Sequence, residues 1–360
     1  VAREPVAREP VAQDPDEDPV EEPVAEPPPG PAATPAPTAV QWLQRGQAKL
    51  EAGRFAEALR DLDRALELDP DWAAALTDRG VCKIQLGRFE DAIADFDRSL
   101  AQRPDQVVAL SSRGFTHAKL GGQAQALRDF DRALELDPGH LPARFNRGML
   151  YASLGDHEAA IADFSRVTED NPQDAYAWAY LGELKLKLGQ NEAALPDLDR
   201  ALALNPAEAG AWANRGWAKA RLGRSAEALV DLNRSLELLP NQVTALTNRA
   251  TVFAQLERNL DALADFDRVL ELDPQRLLAW RNRAALNVKL ERYPEAIADY
   301  DRALTLDPKD AVALGNRGWL LSRLGRHDAA VRDFDRALAL DPQVPGVAEW
   351  RAAALRELEK

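Results

Sequence analysis

From residue 39 onward, apolar and small residues return at the i, i+4 and i, i+4, i+7 intervals of an amphipathic helix. The pattern occurs twice in every 34 residues, giving nine in-phase copies that start at 39, 73, 107, 141, 175, 209, 243, 277 and 311 and end at 344. Numbering each copy from its first residue, positions 4 and 8 mark one helix and positions 20, 24 and 27 a second. Position 20 is alanine in all nine copies, from Ala58 to Ala330, and position 24 is always large, as in Phe96, Leu198 and Tyr300. Position 8 is Gly in seven copies and Ala in two, Ala250 and Ala284. Small residues facing each other at positions 8 and 20 let two helices cross closely, and a larger side chain there would overpack the crossing by about 1–3 kcal/mol. The spacing predicts helix A over positions 2–14, a turn often reading Leu-Gly-Arg, and helix B over positions 18–30. Helix B stops before a proline at position 32, the first being Pro70 and the ninth Pro342, because the residue before proline disfavours helix. A fixed period of this length means one helical hairpin stacked in tandem, each unit burying its apolar face on its neighbours. Such a stack offers a long surface and no closed active-site pocket.

This unit resembles the tetratricopeptide repeat family, with aromatic or Leu at 4, Gly or Ala at 8, Ala at 20, aromatic or Leu at 24, a small residue at 27 and Pro at 32. The resemblance covers 39–344 and implies an all-α solenoid, a right-handed superhelix whose concave groove is lined by the A helices. It also implies a protein-binding scaffold or adaptor with no enzymatic activity and no cofactor. Residues 345–360 carry Val347, Trp350, Ala354, Leu355 and Leu358 at helical spacing and read as a capping helix.

Residues 1–38 are different. A degenerate Val-Ala-x-x-Pro pentad gives way to denser proline, with nine acids, two bases and no aromatic residue. This composition reads as a disordered acidic tail or linker. Its charge makes it an alternative occupant of a basic groove, where it would act as an autoinhibitory segment.

Every copy carries aspartate at position 23, and eight carry arginine at position 7. Both lie about equally far from the turn, so they can meet as an Arg–Asp pair. Arginine at position 26, from Arg64 to Arg336, reads as either a solvated side chain or an inter-repeat partner. Repeat 5 departs: Leu181 replaces the arginine, and Pro196 falls inside helix B, where it favours a kink.

The groove face of helix A, at positions 2, 5, 6, 9, 12 and 13, carries three features. Position 6 is asparagine in Asn146 and then in four consecutive copies, Asn214, Asn248, Asn282 and Asn316. An amide that both donates and accepts can bind an extended peptide backbone bidentately, and the run resembles the asparagine ladder of O-linked N-acetylglucosamine transferase. The other reading is a soluble residue before Arg-Gly. Large apolar groups occupy Phe115, Met149, Tyr180, Trp217 and Trp319, either as exposed anchors for a partner or as packing against the adjacent A helix. Lys119, Lys187, Arg221, Arg281, Lys289 and Arg323 make the same face basic: positions 1–14 together hold 19 Lys and Arg against three acids. A concave basic surface concentrates acidic ligands, so the expected partner is an acidic or polar peptide segment. The carboxylate clamp of chaperone-binding relatives is not matched, since position 9 is never Asn, position 2 never Lys and position 6 never Arg.

The net charge of −14 argues against non-specific nucleic-acid binding. The single cysteine, Cys82, excludes an internal disulfide and reads as a small buried hydrophobe. No apolar run approaches a membrane span. The four histidines, His117, His140, His157 and His327, form no metal or nucleophile motif. These features favour a cytoplasmic protein, or a periplasmic or membrane-tethered one if a targeting segment precedes Val1, whether as a free adaptor or as the targeting module of a larger enzyme. Oligomeric state is open.

Overall fold

The computed structural model describes residues 37–360, and the expected disordered tail lies, except for its last two residues, outside them. The described residues form 19 α-helices and no strand. Nine hairpins follow in order: α1 (Ala39–Glu51) with α2 (Phe55–Leu68), α3 (Ala73–Gln85) with α4 (Phe89–Gln102), α5 (Val107–Lys119) with α6 (Gln123–Leu136). Next come α7 (Leu141–Leu154) with α8 (His157–Asp170), α9 (Ala175–Lys187) with α10 (Asn191–Leu204), α11 (Ala209–Arg221) with α12 (Ser225–Leu238). The last are α13 (Val243–Gln255) with α14 (Asn259–Leu272), α15 (Leu277–Lys289) with α16 (Tyr293–Leu306), α17 (Ala311–Arg323) with α18 (His327–Leu340), and α19 (Val347–Leu358) closes the array. Both helices begin one residue earlier than the pattern predicts. Pro196 sits within α10, which runs on as one α-helix.

Local chemistry accounts for the ends. Thr38 and Gln41 cap α1 reciprocally, while Asp174 and Asp310 accept the backbone N–H of Ala177 and Ala313. Each hairpin turns on a left-handed residue at position 15. Seven are glycines, and the other two are Glu257 (φ 60°) and Glu291 (φ 56°).

The helices cross where the small residues lie. Alanine at position 20 has no exposed surface in any copy, and a Cβ on Gly80 would stand 2.6 Å from Phe96 Cε1. Hairpins stack continuously: one buried cluster runs from Ala213 through Phe266 to Leu286, across three repeats. Successive A helices touch one another, as α1 with α3, α3 with α5, and α9 with α11, more extensively than any two successive B helices do. The array is a solenoid that curls with its A helices on the inside.

The arginine at position 7 fixes the stacking. Arg79 donates two hydrogen bonds to Asp95 of its own hairpin, at 2.8 and 2.6 Å, and a third to Asp63 of the preceding one at 2.9 Å. Arg113, Arg147, Arg215, Arg283 and Arg317 repeat this three-helix fork with Asp at both ends, and Arg249 repeats it with Asn233 at the upstream end. The expected pair is thus present, with an additional partner at position 25 of the repeat before. Arg45 makes only a looser 3.5 Å contact with Asp61. In repeat 5 the arginine is missing and Asp197 keeps only the position-11 lysine, Lys185 at 2.5 Å, the partner that Lys83 and Lys219 add to the arginine in repeats 2 and 6. Some position-26 arginines pair with a glutamate three residues on, as Arg64 does with Glu67. Others reach back to the preceding proline carbonyl, as Arg98 does to Pro70.

Residues from α19 cover the final hairpin. Val347 and Ala354 are buried, Trp350 lies 6.4 Å from Phe334, and Gly315 admits Val347 where a Cβ would clash at 2.6 Å. Cys82 is fully buried, and desolvation with Asp78 and Asp63 nearby pushes its thiol up to about 11, so it stays protonated.

Candidate peptide-binding groove

Where successive A helices lie side by side, three clefts open on the inner face, and they bring together eight of the sequence-predicted residues; Asn248, Asn316, Trp217, Trp319, Lys187, Arg221, Arg281 and Arg323 line none of the three. Between α5 and α7 a cleft of ≈ 270 Å³ is lined by Phe115, Lys119, Asn146 and Met149, over Phe130. Another, of ≈ 170 Å³, between α9 and α11, is lined by Tyr176, Tyr180, Glu183, Glu208 and Asn214. The cleft between α13 and α15, of ≈ 270 Å³, is lined by Thr251, Gln255, Asn282 and Lys289, over Phe266. Position 24 of one hairpin supplies the floor of the first and third, and position 6 of the next supplies an amide to all three.

Asn146, Asn214, Asn248 and Asn316 are partly exposed, and Asn282 is exposed. Among the described residues, the side chains of Asn146, Asn214, Asn248 and Asn282 hydrogen-bond to no other residue; Asn316 lies beside the Tyr300 hydroxyl, whose pKa burial raises and Asn316 partly lowers. Four amides therefore have both donors and acceptor free toward the groove.

The large apolar residues are half-buried, because side chains of their own and adjoining hairpins cover one side of each. Phe115, Met149 and Trp217 pack on their neighbours' core clusters. Tyr180 stacks on Phe164 with centroids 5.3 Å apart and meets Phe145 edge-on at 5.8 Å. Trp319 lies edge-on to Tyr293 at 6.3 Å and touches Trp350 of the capping helix at 6.5 Å. Each contributes a partly covered side chain to the groove wall, nearer the packing reading of the sequence than the free anchor.

The bases divide in two. Lys187 pairs with Glu183 at 3.0 Å, and Arg281 pairs at 3.3 Å with Asp310, the capping residue of α17. Lys119, Arg221, Lys289 and Arg323 are exposed and have no acidic partner among the described residues. Three of these lie over aromatic rings: Lys119 on Phe115 at 5.3 Å, Arg221 on Trp217 at 5.9 Å and Arg323 on Trp319 at 5.4 Å. An aromatic side chain at position 9 thus carries a cation from position 13, which extends it along the groove without neutralising it. The tryptophans of position 4 serve elsewhere: Trp178, Trp212 and Trp280 donate their indole N–H to the carbonyls of Pro172, Pro206 and Pro274. Arg144, the one departure at position 4, does the same for Pro138.

Among the described residues no group of three or more His, Cys, Asp or Glu could hold a metal ion, and no helix is long and apolar enough to cross a membrane. The inner face can offer hydrogen bonds and positive charge to a ligand that runs along it.

Comparison with known proteins agrees with this architecture. Two family models, each described as tetratricopeptide repeat, match residues 43–107, 116–177 and 180–243, and residues 275–343. No curated protein matches in sequence. Among solved structures, the Cut9–Hcn1 hetero-tetramer of APC/C is similar over 88% of this chain and 76% of its own, at 16% identity and a TM-score of 0.57. PilF of Pseudomonas aeruginosa is similar over 59% of this chain and 97% of its own, at 22% identity and a TM-score of 0.53. YrrB, described as a TPR protein with an unusual peptide-binding site, is similar over 51% of this chain and 95% of its own, at 25% identity and a TM-score of 0.45.

Proposed function

The chain belongs to the tetratricopeptide repeat family, whose fold is typical of non-enzymatic protein-interaction scaffolds, and from that premise we propose that its inner face takes an extended acidic or polar peptide segment of a partner protein. The observation that carries this reading is the run of asparagine amides on successive A helices, with Asn214, Asn248 and Asn282 unpartnered within the chain. Spaced one per hairpin, they suit the regular donors and acceptors of an extended backbone and leave partner side chains free to vary. Arg221, Lys289 and Arg323 add positive charge along the same stretch. They set a preference for acidic segments that weakens with salt, because exposed charges are screened over about 10 Å at 0.1 M.

The test uses an array of synthetic 12-residue peptides graded in Asp and Glu content. It compares the full chain with a variant carrying Asn214→Ala, Asn248→Ala, Asn282→Ala and Asn316→Ala. Each backbone bond contributes about 1 kcal/mol net, so loss of several should weaken binding at least about tenfold while circular dichroism shows helicity unchanged. Binding that does not depend on the four amides would place the peptide on another face and sink the proposal.

A further inference from the structure

On the outer, B-helix side of the array many arginines are answered by carboxylates at fixed offsets. The arginine at position 16 pairs with the acid at position 19: Arg54 with Glu57, Arg88 with Asp91, Arg224 with Glu227, Arg258 with Asp261. The arginine at position 26 pairs with the glutamate at position 29: Arg64 with Glu67, Arg132 with Glu135, Arg234 with Glu237, Arg268 with Glu271. Position 33 of the preceding repeat adds a further acceptor, as Asp71 does for Arg98 and Asn241 for Arg268.

Repeat 9 keeps the bases and drops all three acceptors. Arg326 and Arg336 are present, but Ala329 and Ala339 replace the acids, and Lys309 stands at position 33 of repeat 8. Position 22 adds Arg332. Arg326, Arg332 and Arg336 are exposed and have no acidic partner among the described residues; Arg336 makes only a 3.5 Å contact with the Pro308 carbonyl. All three line one cleft of ≈ 370 Å³ between α16, α17 and α18, whose apolar wall includes Ile297, Leu321 and Ala329. The carboxylates in that cleft, Asp301 and Asp333, are both taken by Arg317, at 2.6 and 2.7 Å. The corresponding cleft at the first junction, lined by Asp63, Glu67, Arg79 and Arg98, is balanced.

We propose that this cleft is a binding site for a phosphoryl dianion, carried either by a free phosphate or by a phosphorylated side chain of a partner. Guanidinium groups offer only donors, in a planar fork that matches phosphate oxygens, and they stay charged at every accessible pH. Three of them without counter-ions, on one apolar-walled recess of a chain with net charge −14, form a local positive field. The site shares no residue with the asparagine run and does not depend on peptide binding in the groove.

Calorimetric titration of the full chain at low ionic strength tests this, with inorganic phosphate and N-acetyl-phosphoserine methylamide as probes. The informative variant is Ala329→Glu with Ala339→Glu, which restores the two pairs that repeats 1, 6 and 7 already contain and leaves every arginine in place. The expected result is single-site binding to the native chain, weakened at least about tenfold in this variant and likewise in Arg326→Ala with Arg336→Ala. Tighter binding of the phosphoserine amide identifies the ligand as a phosphorylated side chain; tighter binding of inorganic phosphate identifies it as a free phosphate. No saturable binding of either probe, equal affinity in the glutamate variant, or equal binding of N-acetyl-aspartate methylamide would overturn the assignment.

Discussion

At the scale of single residues, the repeat makes its exceptions measurable, because each has up to eight internal controls. Seven hairpins turn on glycine at position 15, while repeats 7 and 8 place Glu257 and Glu291 there at φ 60° and 56°. The left-handed conformation costs a residue with a Cβ about 1–2 kcal/mol, partly offset because glycine loses about 0.5–1 kcal/mol more in chain entropy. Glu257→Gly and Glu291→Gly should therefore each stabilise the array by about 0.5 kcal/mol, read as a shift in urea midpoint. A midpoint that falls would mean the glutamate side chains make contacts outweighing the strain.

At the scale of the helix pair, the arginine fork shows how much of the architecture was legible. Positions 7 and 23 face each other across one turn, so their pairing follows from counting residues. The third member, at position 25 of the preceding repeat, depends on how hairpins rotate against one another, and periodicity does not state that. A signal was nevertheless present: position 25 is Asp or Asn in every repeat except the fourth, where Ser165 immediately precedes the repeat in which Leu181 replaces arginine. The two losses belong to one missing contact, and the ring cluster of Phe145, Phe164 and Tyr180 occupies the joint. Groove residues divide the same way. The face of helix A follows from the 3.6-residue period, and the asparagines fall on one such face. The half-burial of Trp217 and Trp319, which the sequence left as one of two readings, and the capture of Arg281 by Asp310 are set by the neighbouring repeat, which the helical period alone does not state.

The same joint carries a pH signature. Asp197 is buried and has Lys185 but no bidentate arginine, and burial raises its pKa more than the lysine lowers it. Between the ordinary carboxylate value and the raised one, the native state holds a proton that the unfolded chain has released. Stability contributed by this group is therefore present at low pH and lost as pH rises through that window. Hydrogen-exchange free energies of α9 and α10 should fall across that window in the native chain and fall less in Asp197→Asn. Parallel profiles in the two proteins would show that the lysine fully compensates the burial.

At the scale of the whole molecule, stability and binding are both spread along one dimension, and the ends differ from the middle. An internal hairpin is covered on two sides, whereas the ninth depends on α19: Val347 fills the space left by Gly315, and Trp350 lies on Phe334 and Trp319. A chain truncated after Val344 would expose these apolar surfaces, and in a linear array the cost falls on the nearest unit and decays with distance. Amide protection in α17 and α18 should drop steeply, with a smaller loss in α15 and α16 and none in α1 through α8. The distal hairpins would then fray before the rest of the groove melts, and peptide contacts at Asn316 and Arg323 would weaken ahead of those at Asn146. A uniform loss of protection along all nine hairpins would instead mean that the stack unfolds as one cooperative body, with the arginine forks coupling neighbours too tightly for any unit to open alone.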